Sequence, residues 1–433
     1  RGFPFQTHYV TTKDGYILAL HRIPYSRSEN KYLLKKRRSQ FSFDTVSARP
    51  VVVLWHGFAM SSESWVSTPT YSESLAFTLA DAGYDVWMAN TRGNKYSCKH
   101  RTFKPNQETF WNFTMDQIVQ FDIPDCIDYI LNFTGTPSLT CIGFDQGGTQ
   151  LFAGLSVNEN LNKKVNLCIT LAPVIKPNLI SSKMIHSFIN SSTELIFFLF
   201  GKKALLSSTL FWQTVLSPIT FAWLIDVVFW YLFGWHSQLM ISKIITYRHL
   251  YSYTSVKSVI HYFQMIKSGV LQMYDETATL DHVKPGEDLP RYPIERIQTP
   301  IALFYGGKDE LIDIKYLKSQ LPPLVYCLEI EVEYEHLQFI WGEYKERVLF
   351  PGILGLLSEY SEIWSDATDD LSIADSIRIK HPSWISEEAL REFMSKGDDR
   401  DGRVSIQNNQ QHGNSLSNRR PSVVSEESED EFF

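Results

Sequence analysis

The sequence predicts an α/β fold in which a mostly parallel sheet is covered by helices on both faces. Its 433 residues are 44% hydrophobic and 21% charged, a composition typical of a globular chain that buries a large core. Short apolar runs alternate with helical patterns along most of the chain, as expected for parallel strands that are buried on both faces. An aromatic-rich stretch at about 176–290 breaks this alternation and predicts a helical insertion.

The N-terminal region predicts a hairpin followed by a loop. Residues 7–25, "THYVTTKDGYILALHRIPY", alternate apolar and polar positions around Asp14 and Gly15, which form a strong turn signal. Residues 26–49 are polar and contain the basic run "KKRR", which predicts an exposed loop, with a binding patch as the alternative.

Six further apolar runs predict the strands of the sheet. These runs cover residues 51–55, 84–90, 139–143, 165–173, 301–307 and 324–332. Helices are predicted over residues 72–83 and 115–133, where apolar side chains recur at spacings of three and four.

The insertion combines aromatic side chains with an uncharged run over residues 204–225. These features predict helices that lie on a lipid surface or line a pocket, and a membrane span is the alternative. The candidate lipid-contacting residues are Phe211, Trp212, Trp223, Phe229, Trp230 and Trp235.

Composition and charge exclude several classes of function. The formal net charge of −7 argues against a nucleic-acid partner. No zinc-ligand spacing or phosphate-cradling glycine motif is present, so we expect neither a metal nor a cofactor. Five scattered cysteines argue against a disulfide framework and favour a cytosol-facing location. Residues 395–433 predict a disordered acidic tail, in which Ser422 is a candidate phosphorylation site.

One strand-to-helix corner carries the first chemical signal, in "SLTCIGFDQGGTQLFAGLS". A G-x-nucleophile-x-G corner lifts its central side chain clear of the sheet, and that residue here is Asp145. Gly143 and Gly147 supply the small residues that such a corner needs, and the Gln146 N–H would point at a developing oxyanion. Phe58, in "LWHGFAM", is the second candidate donor. A turn that uses Gly and Asp for conformational reasons is the alternative.

Two later strand ends carry candidate partners for this corner. Asp309 follows a strand in "FYGGKDELID", and His336 follows the next strand in "EYEHLQFIW". Asp313 is a rival acid, but Asp309 lies nearer to the Gly-Gly turn. The order of nucleophile position, acid and histidine is that of α/β-hydrolase triads, so we predict an α/β-hydrolase fold centred on these residues.

The motifs together resemble the acid lipase family of α/β-hydrolases, which includes gastric and lysosomal acid lipases and fungal steryl ester hydrolases. Matching stretches include "HGFAMSSESWV", "DAGYDVWMANTRGNKYS", "FWNFTMDQIVQFDIPDCIDYI", "TSVKSVIHYFQMIKSG" and "YEHLQFIWG". The resemblance runs from residue 7 to about 345, and the aromatic insertion is more similar to the fungal branch.

The resemblance implies hydrolysis of triacylglycerols or steryl esters at a membrane or lipid-droplet surface, with the endoplasmic reticulum or a droplet as the location. It implies Asp309 and His336 as acid and base, with Phe58 and Gln146 as oxyanion donors. It also gives the insertion at 176–290 the role of a lid over a lipid pocket. Together with composition, this predicts a hydrolase core at 1–175 and 291–394, the lid at 176–290 and a tail at 395–433. Because the sequence begins at Arg1, we expect a preceding hydrophobic segment like that of fungal relatives.

The sequence departs from the family at Asp145, where the family has serine. A carboxylate that attacks an ester would form an anhydride while expelling a more basic alkoxide, so ester cleavage should be very slow. His336 would also lie between two carboxylates, which favour the imidazolium form that cannot act as a base. We therefore predict strongly impaired ester hydrolysis.

Two alternatives to an impaired ester hydrolase stay open. One is a non-catalytic lipid-binding protein, for which an intact aromatic insertion and an altered nucleophile are expected. The other is a hydrolase in which Asp145 attacks an epoxide or halogenated carbon, because "GFDQGG" also resembles the epoxide-hydrolase turn.

Overall fold

The computed structural model describes residues 1–36, 49–176, 187, 189–205, 207–233, 240, 242–276, 290–330 and 334–366. Within these ranges, nine strands form one sheet. They are β1 (Gln6–Thr11), β2 (Tyr16–Ile23), β3 (Val51–Trp55), β4 (Asp85–Met88), β5 (Lys99–His100), β6 (Leu139–Phe144), β7 (Val165–Leu171), β8 (Ile301–Gly306) and β9 (Tyr326–Ile330). Their order across the sheet is β1-β2-β4-β3-β6-β7-β8-β9, with β5 beside β2.

The sheet is antiparallel at one edge and parallel elsewhere. β1 and β2 form the predicted hairpin, in which Val10 lies opposite Leu18. β2 also pairs antiparallel with β4, whereas every pair from β4–β3 to β8–β9 is parallel. The predicted mostly parallel sheet is therefore confirmed, and the C-terminal ends of β3, β6, β8 and β9 meet at one edge.

Helices cover both faces of the sheet. The described helices are α1 (Arg27–Lys36), α2 (Leu75–Asp81), α3 (Met115–Gln117), α4 (Ile123–Thr134), α5 (Gln146–Val157), α6 (Glu159–Lys164), α7 (Thr193–Phe200), α8 (Thr209–Val215), α9 (Pro218–Phe233), α10 (Lys243–Thr246), α11 (Val256–Ser268), α12 (Ile314–Gln320), α13 (Gln338–Trp341), α14 (Lys345–Val348) and α15 (Phe350–Asp366). Short 3-10 turns cover Ser62–Trp65, Glu108–Trp111, Tyr247–His249 and Ile294–Arg296, and a π turn covers Ile118–Asp122.

The central strands divide the core into two layers, because alternate side chains of a strand point to opposite faces. In β3, Val52 and Leu54 join the layer that α2 and α15 cover. Val53 and Trp55 join the layer that α4 and α5 cover. Since both layers are buried, the strand is apolar at every position.

Two sequence predictions are revised by the structure. The loop predicted for residues 26–49 is wrong for Arg27–Lys36, which form α1. Ser26 Oγ accepts from the Glu29 N–H and Glu29 Oε2 accepts from the Ser26 N–H, both at 3.2 Å, and this reciprocal capping starts the helix. The helix predicted over 115–133 is divided into α3 and α4 by the π turn.

The described part of the insertion is largely helical, and α9 has one buried and one exposed side. Phe221 and Ala222 are 2% and 6% exposed, whereas Ile219, Trp223 and Trp230 are 70%, 64% and 59% exposed. No helix in the described ranges is both long enough and apolar enough to cross a membrane.

The other candidate lipid-contacting residues divide in the same way. Phe211 and Trp212 on α8 are 60% and 49% exposed. Phe229 instead packs against the core, with its ring centroid 5.9 Å from that of Tyr247. Trp235 lies outside the described residues.

Several predictions fall where the structure describes nothing or tests nothing. Residues 37–48, Ser422 and the tail at 395–433 lie outside the described residues. The three boundaries between the four predicted segments stay predictions. All five cysteines lie within the described ranges and are free. Cys141 and Cys168 are neighbours in the register of the adjacent strands β6 and β7.

Candidate active site

Asp145 occupies the corner between β6 and α5. Its φ of 52° and ψ of −123° are rare for a residue with a side chain and cost about 1–3 kcal/mol. Its N–H donates to the carbonyl oxygen of Leu171 at 3.0 Å, which ties the corner to β7. A Cβ on Gly143 would lie 2.7 Å from the backbone of α5, and one on Gly147 would lie 2.4 Å from the backbone of β3. Only glycine therefore allows this close approach.

Of the two predicted oxyanion donors, Phe58 contacts the Asp145 side chain and Gln146 directly follows Asp145 in the chain. Phe58 N–H, in the loop after β3, donates to Asp145 Oδ2 at 2.8 Å. Gln146 is buried and begins α5, where backbone N–H groups have no intrahelical acceptor. One carboxylate oxygen therefore already takes the N–H group that an ester oxyanion would need.

His336 joins Asp145 to Asp309. Its Nδ1 lies 2.7 Å from Asp309 Oδ2 and its Nε2 lies 3.3 Å from Asp145 Oδ1. Both His336 and Asp309 are buried, at 3% and 6% exposure. The rival acid Asp313 does not join them, because its side chain caps α12 by accepting an N–H at 3.0 Å.

The charges of this group decide its protonation. Burial by itself lowers the pKa of His336, but Asp309 and Asp145 together raise it to about 10. The ring is therefore imidazolium at neutral pH and presents an N–H to each carboxylate. An imidazolium cannot accept a proton from a nucleophile or from water.

A second buried histidine supports the oxyanion loop. Burial lowers the pKa of His56 to about 4, although Gly57 and Asp145 act in the opposite direction. The neutral ring donates from Nδ1 to the Gly57 carbonyl at 2.8 Å and accepts at Nε2 from the Thr91 N–H at 3.2 Å. These bonds hold the backbone directly before Phe58.

Hydrogen bonds join the insertion to the same loop. Ser252 N–H donates to the Ala59 carbonyl at 2.7 Å. Glu63 Oε2 lies 2.6 Å from Lys95 Nζ and 2.7 Å from Nδ1 of His249, which precedes α11. Burial raises the pKa of Glu63, but hydrogen bonds from His249, Lys95 and a tyrosine lower it to about 2. Glu63 therefore stays ionised between the hydrolase core and the insertion.

The residue pattern does not single out His56 or Glu63, although both lie in or beside the "HGFAMSSESWV" motif. Their roles depend on partners far away in the chain, and no spacing rule identifies those partners. Among the described residues, no group of three or more His, Cys, Asp or Glu side chains is arranged to hold a metal ion.

The structure thus brings four predicted residues to one end of a parallel sheet: the corner residue, its acid, its histidine and a backbone donor from an earlier strand. This arrangement defines the α/β-hydrolase class. Comparison with protein families agrees. A family model described as "alpha/beta hydrolase fold" matches residues 50–343, and one described as "Partial alpha/beta-hydrolase lipase region" matches residues 1–69.

Individual relatives indicate which family within the α/β-hydrolase class the chain is similar to. A Schizosaccharomyces pombe protein named as a probable lipase is 39% identical over 366 residues, which cover 83% of this chain and 78% of that protein. The lysosomal acid lipase/cholesteryl ester hydrolase of Rattus norvegicus is 36% identical over 373 residues, which cover 83% of this chain and 89% of that protein. The gastric triacylglycerol lipase of Homo sapiens is 32% identical over 374 residues, with the same two coverages of 83% and 89%.

The chain therefore belongs to the acid lipase family of α/β-hydrolases. Among solved structures, that of DcsB in complex with its substrate analogue covers 83% of this chain and 99% of its own at 14% identity and a TM-score of 0.47. The sequence relatives, and not this distant likeness, carry the assignment to the family.

Proposed function

We propose that this chain binds steryl esters or triacylglycerols at a membrane or lipid-droplet surface and hydrolyses them only slowly. The substrate class is supported by the names of the rat and human relatives, a cholesteryl ester hydrolase and a triacylglycerol lipase. The observation that carries the proposal is the state of Asp145, which is held by both Phe58 N–H and His336. We place the protein on the cytosolic side of the endoplasmic reticulum or on a droplet, consistent with five free cysteines.

Three consequences of this geometry oppose ester hydrolysis. An attacking carboxylate gives an anhydride, whose formation from an ester is unfavourable. Asp145 Oδ2 occupies the Phe58 N–H, so a substrate oxyanion lacks that donor. His336 is protonated between Asp145 and Asp309 and has no capacity to act as a base.

The exposed aromatic side of α9 supports binding at a lipid surface. The single charge of this helix, Asp226, lies 2.9 Å from Lys243 Nζ and 2.8 Å from the Tyr247 hydroxyl, so it is neutralised within the insertion. Trp223 and Trp230 are then free to enter the boundary between headgroups and acyl chains. A large exposed apolar patch on a folded chain marks an interaction site.

Flotation with triolein droplets coated with phosphatidylcholine tests this surface. Replacing Trp223 and Trp230 by serine should weaken droplet binding by at least about tenfold, because two indoles lose their apolar burial. Tyr9→Ser is the matched control, since Tyr9 is also exposed, at 56%, but lies on the edge strand β1. Equal binding by the double variant and the control would contradict the surface assignment.

A second candidate function uses Asp145 as a nucleophile on carbon. Its support is a carboxylate at the strained corner with Oδ1 3.3 Å from His336 Nε2. Attack on an epoxide carbon would form a C–O bond to Asp145 and break the ring C–O bond. The His336 imidazolium would give its proton to the alkoxide that leaves. The neutral ring, then beside one carboxylate and a neutral ester, could accept a proton from the water that hydrolyses the ester.

Asp145→Ala separates the two candidates. Lipid-ester binding should survive this change, whereas the alkyl-enzyme route requires the carboxylate. Incubating the unchanged chain with cis-9,10-epoxystearate and digesting it should yield an adduct on the Asp145 peptide if the second candidate is correct. Absence of both an adduct and diol product would exclude it for this epoxide.

A further inference from the structure

Tyr262 carries a buried hydroxyl that has no hydrogen-bond partner among the described residues. The residue lies on α11, and its ring centroid is 5.3 Å from that of Phe58. Phe58 is the residue whose N–H donates to Asp145 Oδ2 at 2.8 Å. The phenol therefore lies beside the oxyanion loop, on an element that the hydrolase core does not supply.

The surroundings of the Tyr262 hydroxyl keep it protonated. Burial raises the pKa of Tyr262, and the charge of Asp145 raises it further. The hydroxyl therefore keeps its proton and acts as a donor at working pH. Asp145 is near enough to influence it, yet is not its hydrogen-bond acceptor.

The helix that carries Tyr262 is held in place by satisfied polar groups. Ser255 caps α11 by accepting from the Ser258 N–H at 2.9 Å. Gln264 donates to the Asp275 carbonyl at 2.9 Å and accepts from the Asp275 N–H at 3.1 Å. These bonds fix the helix backbone that carries the phenol.

A buried hydroxyl without a hydrogen-bond partner is unfavourable, and a ligand oxygen would remove that cost. Apolar side chains around a sterol or acyl chain provide affinity but do not distinguish an ester from an ether. A fixed phenol beside the loop that holds the oxyanion donors would provide this distinction.

We propose that the Tyr262 hydroxyl donates a hydrogen bond to the carbonyl oxygen of a bound lipid ester, in addition to the Gln146 N–H and, where Asp145 is replaced, the Phe58 N–H that its carboxylate now occupies. This inference rests on the proposed function, because it requires that lipid esters enter the site. Tyr262 lies within the "TSVKSVIHYFQMIKSG" motif, but its position over Phe58 is set by the packing of α11 and not by spacing in the sequence.

The test compares binding of cholesteryl oleate and cholesteryl oleyl ether, which differ at one carbonyl group. Asp145→Ala is the background, because it leaves the Phe58 N–H available and cannot turn the ester over. In this background the ester should bind more tightly than the ether. Adding Tyr262→Phe should lower the ester-to-ether ratio by about threefold to tenfold while ether affinity stays constant.

Tyr326→Phe is the matched control. Its hydroxyl is also buried without a partner among the described residues, but it lies at the start of β9, away from the site. This variant should keep the ratio of the background. A ratio near one in the Asp145→Ala protein, or a ratio that Tyr262→Phe leaves unchanged, would overturn the inference. Failure of both lipids to bind would overturn the proposed function and this inference with it.

Discussion

Replacing Asp145 by serine should switch on ester hydrolysis, because the change removes a carboxylate and supplies an alcohol nucleophile. Although burial lowers the pKa of His336, Asp309 and Asp145 raise it to about 10. At pH 7 only about 0.1% of the molecules then carry a neutral His336 ring. The fraction of molecules in which the ring can act as a base is therefore lower by about 10³ than if the ring were fully neutral. Release of the Phe58 N–H adds to the gain, since one oxyanion donor is typically worth about 10²–10³ in rate.

Initial rates on emulsions of cholesteryl oleate and triolein measure this gain. The serine variant should exceed the unchanged chain by at least about 10³-fold at pH 7. The activity of the serine variant should rise with pH as His336 loses its proton. This loss should occur at lower pH than in the unchanged chain, where two carboxylates stabilise the protonated ring.

Asp145→Ala is the control for the serine variant, because it relieves the charge without supplying a nucleophile, and it should stay inactive. Equal rates for the unchanged chain and the serine variant would refute the reasoning about the carboxylate. A serine variant no more active than Asp145→Ala would refute the catalytic geometry itself.

Three further predictions concern the acid, the charge of the histidine and the contact with the insertion. In the serine variant, Asp309→Asn should lower kcat by about 10³–10⁴ because the ring loses its orienting carboxylate, whereas Asp313→Asn should change it less than about twofold; similar losses for both would contradict the assignment. In the unchanged chain, the folded-state pKa of His336 lies above its ordinary value of 6.5, so its ion pairs stabilise fully below that pH and lose their effect as pH rises toward 10. Urea unfolding should show the free energy of unfolding falling by about 1–3 kcal/mol across this window, and a flat profile would exclude the charged ring. Glu63→Gln should destabilise the chain by about 1 kcal/mol, since Lys95 and His249 lose a partly buried anionic partner. In the serine variant it should slow triolein hydrolysis more than p-nitrophenyl butyrate hydrolysis, and an equal effect on both substrates would argue against a role at the insertion.

Local signals predicted the frame of the site well. The β1–β2 hairpin follows from Asp14 and Gly15 between alternating residues, and the buried parallel strands follow from their continuous apolar runs. The same kind of reasoning missed α1, because the cap formed by Ser26 and Glu29 matters more than the polar composition of that stretch. The corner at Asp145 was predictable because the two glycines that it requires, Gly143 and Gly147, lie within two residues of it in the sequence.

The sequence by itself determined which groups are available: an acid at the corner, a second acid and a histidine at later strand ends, in the order of a hydrolase triad. Only the tertiary structure decided how these groups act on one another. The protonation of His336, the engagement of the Phe58 N–H and the approach of Tyr262 depend on distances of a few ångströms between segments far apart in the chain. Electrostatic energies and hydrogen bonds depend on such distances, and residue order does not specify them.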